Sequence, residues 1–377
     1  MKALFVYFTG TGNTLRALAC VAEELAAFPA LDPAGLEASW HEIRDSARPL
    51  ADLLAGLAES DLLVLGFPAL GFSAPEPVIR QLKSLPRLRG FHAAVLCACG
   101  ASWMPSRILN GWGGTAVPEV LRILKAKGAR PAGSAEASYP INWTQVFPPP
   151  QGAARADLLK HGDRQARAFG ARLARGLGAE PDESRAGIRR ESSAFLVRRS
   201  ALTRLLCPAI ARVFRGIGRK LAARFYIADG TCSGCGLCAR ACPARAVRMS
   251  RGRPAWTNAC AACNRCINLC PSRSIQTSTI RLVLVSGVNL AALGLAIPAL
   301  AAALGVLGLA SGTAACLAVV PLGAVLFWTF SLLQAGPLDA LLRIPERSRA
   351  LGPVFRRGFT RGYDRYLAPG FRPGEGG

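Results

Sequence analysis

The first thing this chain lacks is charge over one long stretch. Residues 282–338 are 57 residues without a single Asp, Glu, Lys, Arg or His. A bilayer core takes about 20 apolar residues per helix, so the stretch has room for two spans rather than one or three. A buried soluble hairpin of that length is hard to sustain without charge. Acidic residues are scarce as well: 23 Asp and Glu stand against 46 Lys and Arg, a formal charge of +23. That balance points to an anionic partner, either a membrane face or nucleic acid, and composition alone does not choose between them. The three histidines, His41, His92 and His161, are scattered without ligand spacing. None is a persuasive catalytic base, and no catalytic residue is assigned. The N-terminal MKALFVYFTGTGNT is too briefly apolar for a secretory signal. The 13 cysteines therefore read as thiols of a reducing compartment rather than as a disulfide scaffold.

Eight of those cysteines fall into two identical runs. Cys232, Cys235, Cys238 and Cys242 precede Pro243; Cys260, Cys263, Cys266 and Cys270 precede Pro271. Each run is C-x2-C-x2-C-x3-C-P, the spacing of bacterial [4Fe–4S] ferredoxins. Structural zinc takes four ligands in two separated pairs, not a continuous duplicated run. Small residues between the ligands, such as Ser233, Gly234 and Ala261, let backbone N–H groups approach sulfur. Of the other cysteines, Cys20 lies in a helical apolar stripe. Cys97 and Cys99 point to one face of a strand and read as small buried residues rather than a redox pair. Cys207 has no partner in sequence.

The N-terminal half alternates strand and helix. Strands are expected at 2–8, 37–42, 61–67, 91–99 and 131–138. Helices are expected near 15–26, 49–58, 75–85, 116–128 and 154–177. This pattern predicts a doubly wound α/β parallel sheet, with ligands at the carboxyl ends of its strands. Thr9, Gly10, Thr11, Gly12, Asn13 and Thr14 join the first strand to the first helix. Such a loop directs backbone N–H groups and a helix N-terminus at one point. It has neither a Gly-Lys-Ser/Thr ending nor G-x-G-x-x-G, which excludes a triphosphate P-loop and leaves no NAD(P) fingerprint. Hydroxyls without lysine suit a single terminal phosphate. Residues 68–74 and 100–114 converge on the same place.

Residues 185–224 carry 11 Lys and Arg against one acid, Glu191, with apolar residues interleaved. A basic amphipathic segment reads as contact with a membrane surface, or as a linker packed on its neighbour. Nucleic acid is disfavoured because no nucleic-acid-binding fold accompanies the charges. The uncharged stretch breaks at Ala310-Ser311-Gly312-Thr313, giving spans 282–309 and 314–333. Basic residues flank both ends, including 8 Arg between Arg343 and Arg372, so both termini are expected on the cytoplasmic side.

The loop Thr9–Thr14, the segment Tyr139-Pro140-Ile141-Asn142-Trp143 and the duplicated cysteine runs together resemble the bacterial and archaeal fused flavodoxin–ferredoxin proteins. The resemblance covers about two-thirds of the chain and leaves the C-terminus unexplained. It implies FMN, with its phosphate on residues 9–14, and with Pro68, Phe72, Gly100 and Trp103 flanking its ring. It also implies two [4Fe–4S] clusters with crossed ligation. Cys232, Cys235, Cys238 and Cys270 would hold the first; Cys260, Cys263, Cys266 and Cys242 would hold the second.

The expected architecture is a flavodoxin-like α/β domain (1–178), a basic amphipathic linker (179–226), a small α+β ferredoxin-like domain (227–280), two transmembrane helices (281–338) and a basic tail (339–377). The expected function is membrane-anchored electron transfer. Single electrons would pass between FMN, two clusters and a redox partner protein, with the redox domains on the cytoplasmic side of the membrane and lipid as a further partner. The alternatives are a membrane-bound iron–sulfur flavoprotein reductase, for example of a quinone, and a redox-sensing protein with a vestigial flavin site.

Overall fold

A computed structural model describes residues 1–28, 36–44, 50–87, 90–105, 107–178, 208, 211–306, 325–326 and 328–373. The first domain is a sheet of parallel strands β1 (Lys2–Tyr7), β2 (Glu37–Glu42), β3 (Leu62–Pro68), β4 (His92–Met104) and β6 (Arg130–Pro140). β1 pairs with β2 and β3, β3 with β4, and β4 with β6, all parallel. The resulting order 2-1-3-4-6 is the flavodoxin-like doubly wound order, with its topological switch between β1 and β3.

The central strands are apolar without alternation because both faces are covered. On β1, Leu4 and Val6 join one core while Ala3, Phe5 and Tyr7 join the other. Helices α1 (Asn13–Ala26) and α5 (Gly152–Gly178) close the second core through Leu18, Val21, Phe169 and Leu173. Helices α2 (Leu50–Leu54), α3 (Glu76–Ser84) and α4 (Ala116–Ala126) close the first through Leu54, Ile79, Leu82 and Val120. One element departs from the sequence pattern. β4 runs on past Cys99 to Met104 and folds against β5 (Arg107–Leu109) as an antiparallel ribbon, pairing Trp103 with Ile108. The strand-forming residues Ala101–Met104 continue the ladder beyond the sheet, so half of the expected 100–114 loop is strand.

Most of the basic linker lies outside the described residues, Cys207 included. Its last part is helical, a π turn (Phe214–Gly218) leading into α6 (Arg219–Phe225). Its cations act as interior clamps here. Arg219, 3 % exposed, donates to Leu70 O, Ser73 Oγ and Ala74 O, and burial pushes its pKa down to about 10. Arg215 pairs with Glu119 on α4.

The cysteine-rich module follows: β7 (Tyr226–Ala228), α7 (Leu237–Arg240), β8 (Val247–Ser250), β9 (Arg253–Trp256), α8 (Arg265–Leu269) and β10 (Ile275–Thr277). β7 pairs antiparallel with β10, and β8 with β9. The duplication is visible in the backbone. Gly234, Gly236 and Arg245 have positive φ, and so do Ala262, Asn264 and Arg273, each 28 residues on.

Helix α9 (Thr279–Val306) leaves the module. Its Asn289 hydrogen-bonds Gln334 Oε1 at 2.5 Å and accepts from Ser331 Oγ at 3.4 Å, so α9 lies beside the segment entering α10 (Asp339–Arg347). Among the described residues no helix is long and apolar enough to cross a membrane. The expected second span falls largely on 307–324, outside the described residues, and the side chains of α9 are described without a break only to Ala291. The tail passes through α11 (Gly352–Phe355) and turns back over the first domain.

Arg265 locks module to sheet. It is 1 % exposed and donates from Nε to Gly10 O at 3.1 Å, from Nη1 to Ala241 O at 3.0 Å and from Nη2 to Thr9 O at 2.7 Å. It also pairs with the Glu42 carboxylate at the end of β2. Glu42 also pairs with Arg44 at 2.6 Å, so removing Arg265 takes one of two cations from a buried carboxylate and the donor from three buried carbonyls; breaking a buried pair costs about 3–5 kcal/mol. Arg265→Ala should therefore lose stability on that scale in chemical denaturation of anaerobically purified protein, and adding Glu42→Gln should recover part of it. A loss under about 1 kcal/mol would mean that Arg44 alone satisfies Glu42 and that Arg265 is not the lock.

Candidate iron–sulfur centre and the sheet crevice

The eight cysteines gather into two sets that cross the runs. Cys232, Cys235, Cys238 and Cys270 line one small cavity. Cys238 feels the charges of Cys270, Cys232 and Cys235. In the other set, Cys242 acts electrostatically on Cys260, Cys263 and Cys266. The crossing follows from the backbone. Each third cysteine sits within a short helix, Cys238 in α7 and Cys266 in α8, and the chain leaving that helix delivers the fourth cysteine to the opposite set.

Donors surround the sulfurs. Ala246 N reaches Cys242 Sγ at 3.3 Å, Ala262 N reaches Cys260 Sγ at 3.4 Å and Trp256 Nε1 reaches Cys266 Sγ at 3.4 Å. Burial and then neighbouring thiols push Cys263 up to about 11 and Cys260 up to about 12. Burial also acts on Cys270, but hydrogen bonds from Ser274 and Ser272 outweigh it and lower its pKa. Cys238, Cys260, Cys263 and Cys266, all raised by burial first, thus surrender a proton only to a bound metal. Among the described residues no three metal-ligating side chains converge on a single ion; the four cysteines of the first set line a small cavity instead.

The sets differ in exposure. Around the first, Cys235 and Ser233 are exposed. Around the second, Ala261, Asn264 and Arg265 are 2 %, 4 % and 1 % exposed. Left-handed backbone that Gly234 and Gly236 adopt freely is imposed here on Ala262 and Asn264. Asn264 uses the conformation: its Oδ1 accepts from Tyr226 OH at 3.0 Å and from Gln145 N at 3.2 Å, joining the module to the chain after β6.

That buried set abuts the sheet crevice. Thr9, Gly10, Thr11, Asn13, Thr14, Pro68 and Gly100 line one cavity of about 40 Å³, and Cys263 lines it too. A Cβ on Gly10 would lie 2.1 Å from Cys263 O, so only glycine lets the two loops touch. Gly12, at φ 98°, forms the turn and carries Phe371 of the tail against it. Ala368 N donates to Thr11 O at 2.7 Å, Tyr366 OH to Asn13 Oδ1, and Asn142 Nδ2 to Thr11 Oγ1. On the other side Phe214 lies against Gly71.

The arrangement does not accommodate FMN. Pockets for ligands of that size hold roughly 300–1,000 Å³. The cysteine-lined cavity is also small, about 20 Å³. But its walls are the thiols that a cluster bonds, whereas the crevice is walled by the backbone of Cys263, the aromatic tail and the linker helix. Nor do the expected ring-flanking aromatics line it. Phe72 packs on Trp112 with centroids 5.1 Å apart. Trp103 rides the β4–β5 ribbon and donates to Asp157 Oδ2 at 3.3 Å, which turns it toward α5. One feature of an anion loop persists: Thr14 Oγ1 is fully buried beside the cavity without a hydrogen-bond partner. The roles of Cys263, Arg265 and the tail were missed from sequence. Tyr366-Leu367-Ala368-Pro369-Gly370-Phe371, a break in the basic tail, was the one signal available.

Residues 231–275 match the family model of a 4Fe-4S dicluster domain. Comparison with curated proteins gives no match. Among solved structures, the chain is similar to a flavodoxin from the domain Archaea, at 14% identity over 48% of this chain and 100% of that one, with a TM-score of 0.31. It is similar to a short-chain flavodoxin associated with a non-canonical PDU bacterial microcompartment, at 18% over 45% and 96%, TM-score 0.29. A third is the Trp repressor binding protein from Bacillus subtilis, at 12% over 46% and 98%, TM-score 0.28. Likeness at this level says nothing about ligand or activity. By strand order and matched module, the chain joins a parallel α/β domain of flavodoxin-like fold to a module that matches a 4Fe-4S dicluster domain over residues 231–275.

Two variants test the geometry. Cys242→Ser should damage the cluster of the second run and spare that of its own, read by anaerobic EPR; loss of the first-run signal alone would refute the crossing. Ala262→Gly relieves left-handed alanine and should stabilise the protein by about 1 kcal/mol in denaturant unfolding.

Proposed function

We propose that this chain is a membrane-anchored electron-transfer protein carrying two [4Fe–4S] clusters. Cys232, Cys235, Cys238 and Cys270 would hold one, and Cys260, Cys263, Cys266 and Cys242 the other. The observation that carries the reading is the gathering of eight cysteines into two sets of four across the runs. When bound, each cluster takes up and gives back one electron at a time. The protein's own residues set the direction of access. Ser233, Gly234 and Cys235 leave the first set open to a redox partner protein. Arg265, Asn264 and the sheet cover one side of the second.

The anchor is the hairpin 282–309 and 314–333, with both termini and the redox domains on the cytoplasmic side. It is supported by 57 uncharged residues flanked by arginines, and by apolar side chains turned outward on α9, Val283 60 % and Leu290 70 % exposed. The α/β domain then acts as the platform on which the module is seated. A second reading keeps FMN as a cofactor. The unpartnered Thr14 hydroxyl favours it, and it requires the tail and module to lift from the crevice.

Anaerobic purification from membranes with iron, sulfide and flavin counts tests these readings together. About eight iron and eight sulfide per chain are expected, with flavin well below one. Iron near four would remove one cluster; one flavin per chain would establish the second reading. Salt alone should fail to extract the full chain from membranes, and its release without detergent would remove the anchor.

A further inference from the structure

One further cavity belongs to neither the crevice nor the cysteine sets. It is about 530 Å³ and lies where β7 and β9 of the module meet the start of α9 and the returning tail. Six arginines line it: Arg224, Arg251, Arg253, Arg281, Arg343 and Arg356. Glu346 is the acid in its wall, pairing with Arg281. Asp339 pairs with Arg224 at 3.4 Å, Arg281 at 2.7 Å and Arg343 at 2.9 Å. Six arginines against two carboxylates leave an excess of four positive charges. Arg253 spends one nitrogen on the carbonyls of Ala228 and Asp229. Among the described residues Arg251 and Arg356 have no carboxylate partner.

An excess of guanidinium in a cavity of this size calls for an anion of matching charge. Forked N–H groups suit phosphate, which accepts from several arginines at once. We propose that this cavity binds a phosphate-bearing ligand, and that its position favours the headgroup of an anionic phospholipid. Arg281, in the wall, is followed on α9 by Val283 and Leu284, 60 % and 38 % exposed. Arg343 lies between Leu341 and Ile344 on α10, 59 % and 66 % exposed. Acyl chains from a headgroup seated among the arginines run along those apolar faces. Trp256 forms part of the wall and donates to Cys266 Sγ, so a bound headgroup sits one side chain from a cluster ligand. Its negative charge there lowers the reduction potential of the second-run cluster. The lipid source rests on the membrane reading; the phosphate site does not.

The test uses full-length holoprotein in detergent under anaerobic conditions, with Arg251→Ser/Arg356→Ser as the variant. Neither residue belongs to the Asp339–Glu346 network, so iron content and unliganded Tm should match the parent. The probes are dioleoylphosphatidylglycerol, dioleoylphosphatidylcholine and glycerol 3-phosphate, read by native mass spectrometry and thermal shift. Phosphatidylglycerol should bind in preference to phosphatidylcholine, and the variant should weaken it by about thirtyfold. If glycerol 3-phosphate binds as well as the lipid with the same sensitivity, the phosphate site stands and its ligand is soluble. Equal binding of both lipids together with no binding of glycerol 3-phosphate, or binding unchanged in the variant, overturns the proposal. Because the glycerol 3-phosphate arm needs no bilayer, failure of the anchor and failure of the site are told apart.

Discussion

A guanidinium with no access to water must give its donors to acceptors supplied by the fold, and Arg265 does so at the junction of two domains. Its partners come from β1's exit loop, from the end of β2 and from the chain just before Cys242. These acceptors exist together only when the module lies across the carboxyl ends of the strands. The orientation of the second cysteine set, the contact of Cys263 with Gly10 and the closure of the crevice all follow from that constraint. A buried ion pair is weak support for net stability; what favours this one arrangement is that the Thr9, Gly10 and Ala241 carbonyls converge on the same guanidinium.

The consequence is a reassignment of the fold's usual ligand position. In a doubly wound sheet, the space beyond the strand ends at the switch point is where a ligand goes. In this chain that space receives protein: a cysteine loop, the aromatic end of the tail and a linker helix. The second cysteine set therefore has the sheet as its insulating wall, while the first faces outward. With clusters bound as proposed, such asymmetry would give one more shielded and one more accessible redox site, with potentials separable by exposure and hydrogen bonding to sulfur. The arginine-lined cavity lies on the far side of the same module, where α9 departs.

Much of the α/β domain was legible because its signals are local. Both-sided burial makes β1, β3 and β4 near-continuous apolar runs, and the strand-loop-helix at residues 1–26 is set by glycines and by α1's apolar stripe. The cysteine spacing was equally legible, since ligand geometry is written into intervals of two and three residues. The β4–β5 ribbon was not, because Ala101–Met104 pair with residues whose strand character is weak alone. Phe72 and Trp103 were misplaced for a related reason. An aromatic side chain in a crevice-side loop turns toward whatever surface the tertiary structure offers, here Trp112 and Asp157.

Intervals and composition alone thus determined that the chain has a parallel α/β domain, an iron–sulfur module and a long uncharged segment. Each of these depends on residues close together in sequence. Only the tertiary structure decided what fills the crevice, because its walls come from residues as distant as Gly10, Cys263 and Phe371. No pattern within one segment encodes their meeting. The same holds for the linker's arginines. Their charge was plain in the sequence, but whether a guanidinium meets lipid, water, a carbonyl or a carboxylate is fixed by what packs against it: Arg219 meets carbonyls and Arg215 meets Glu119.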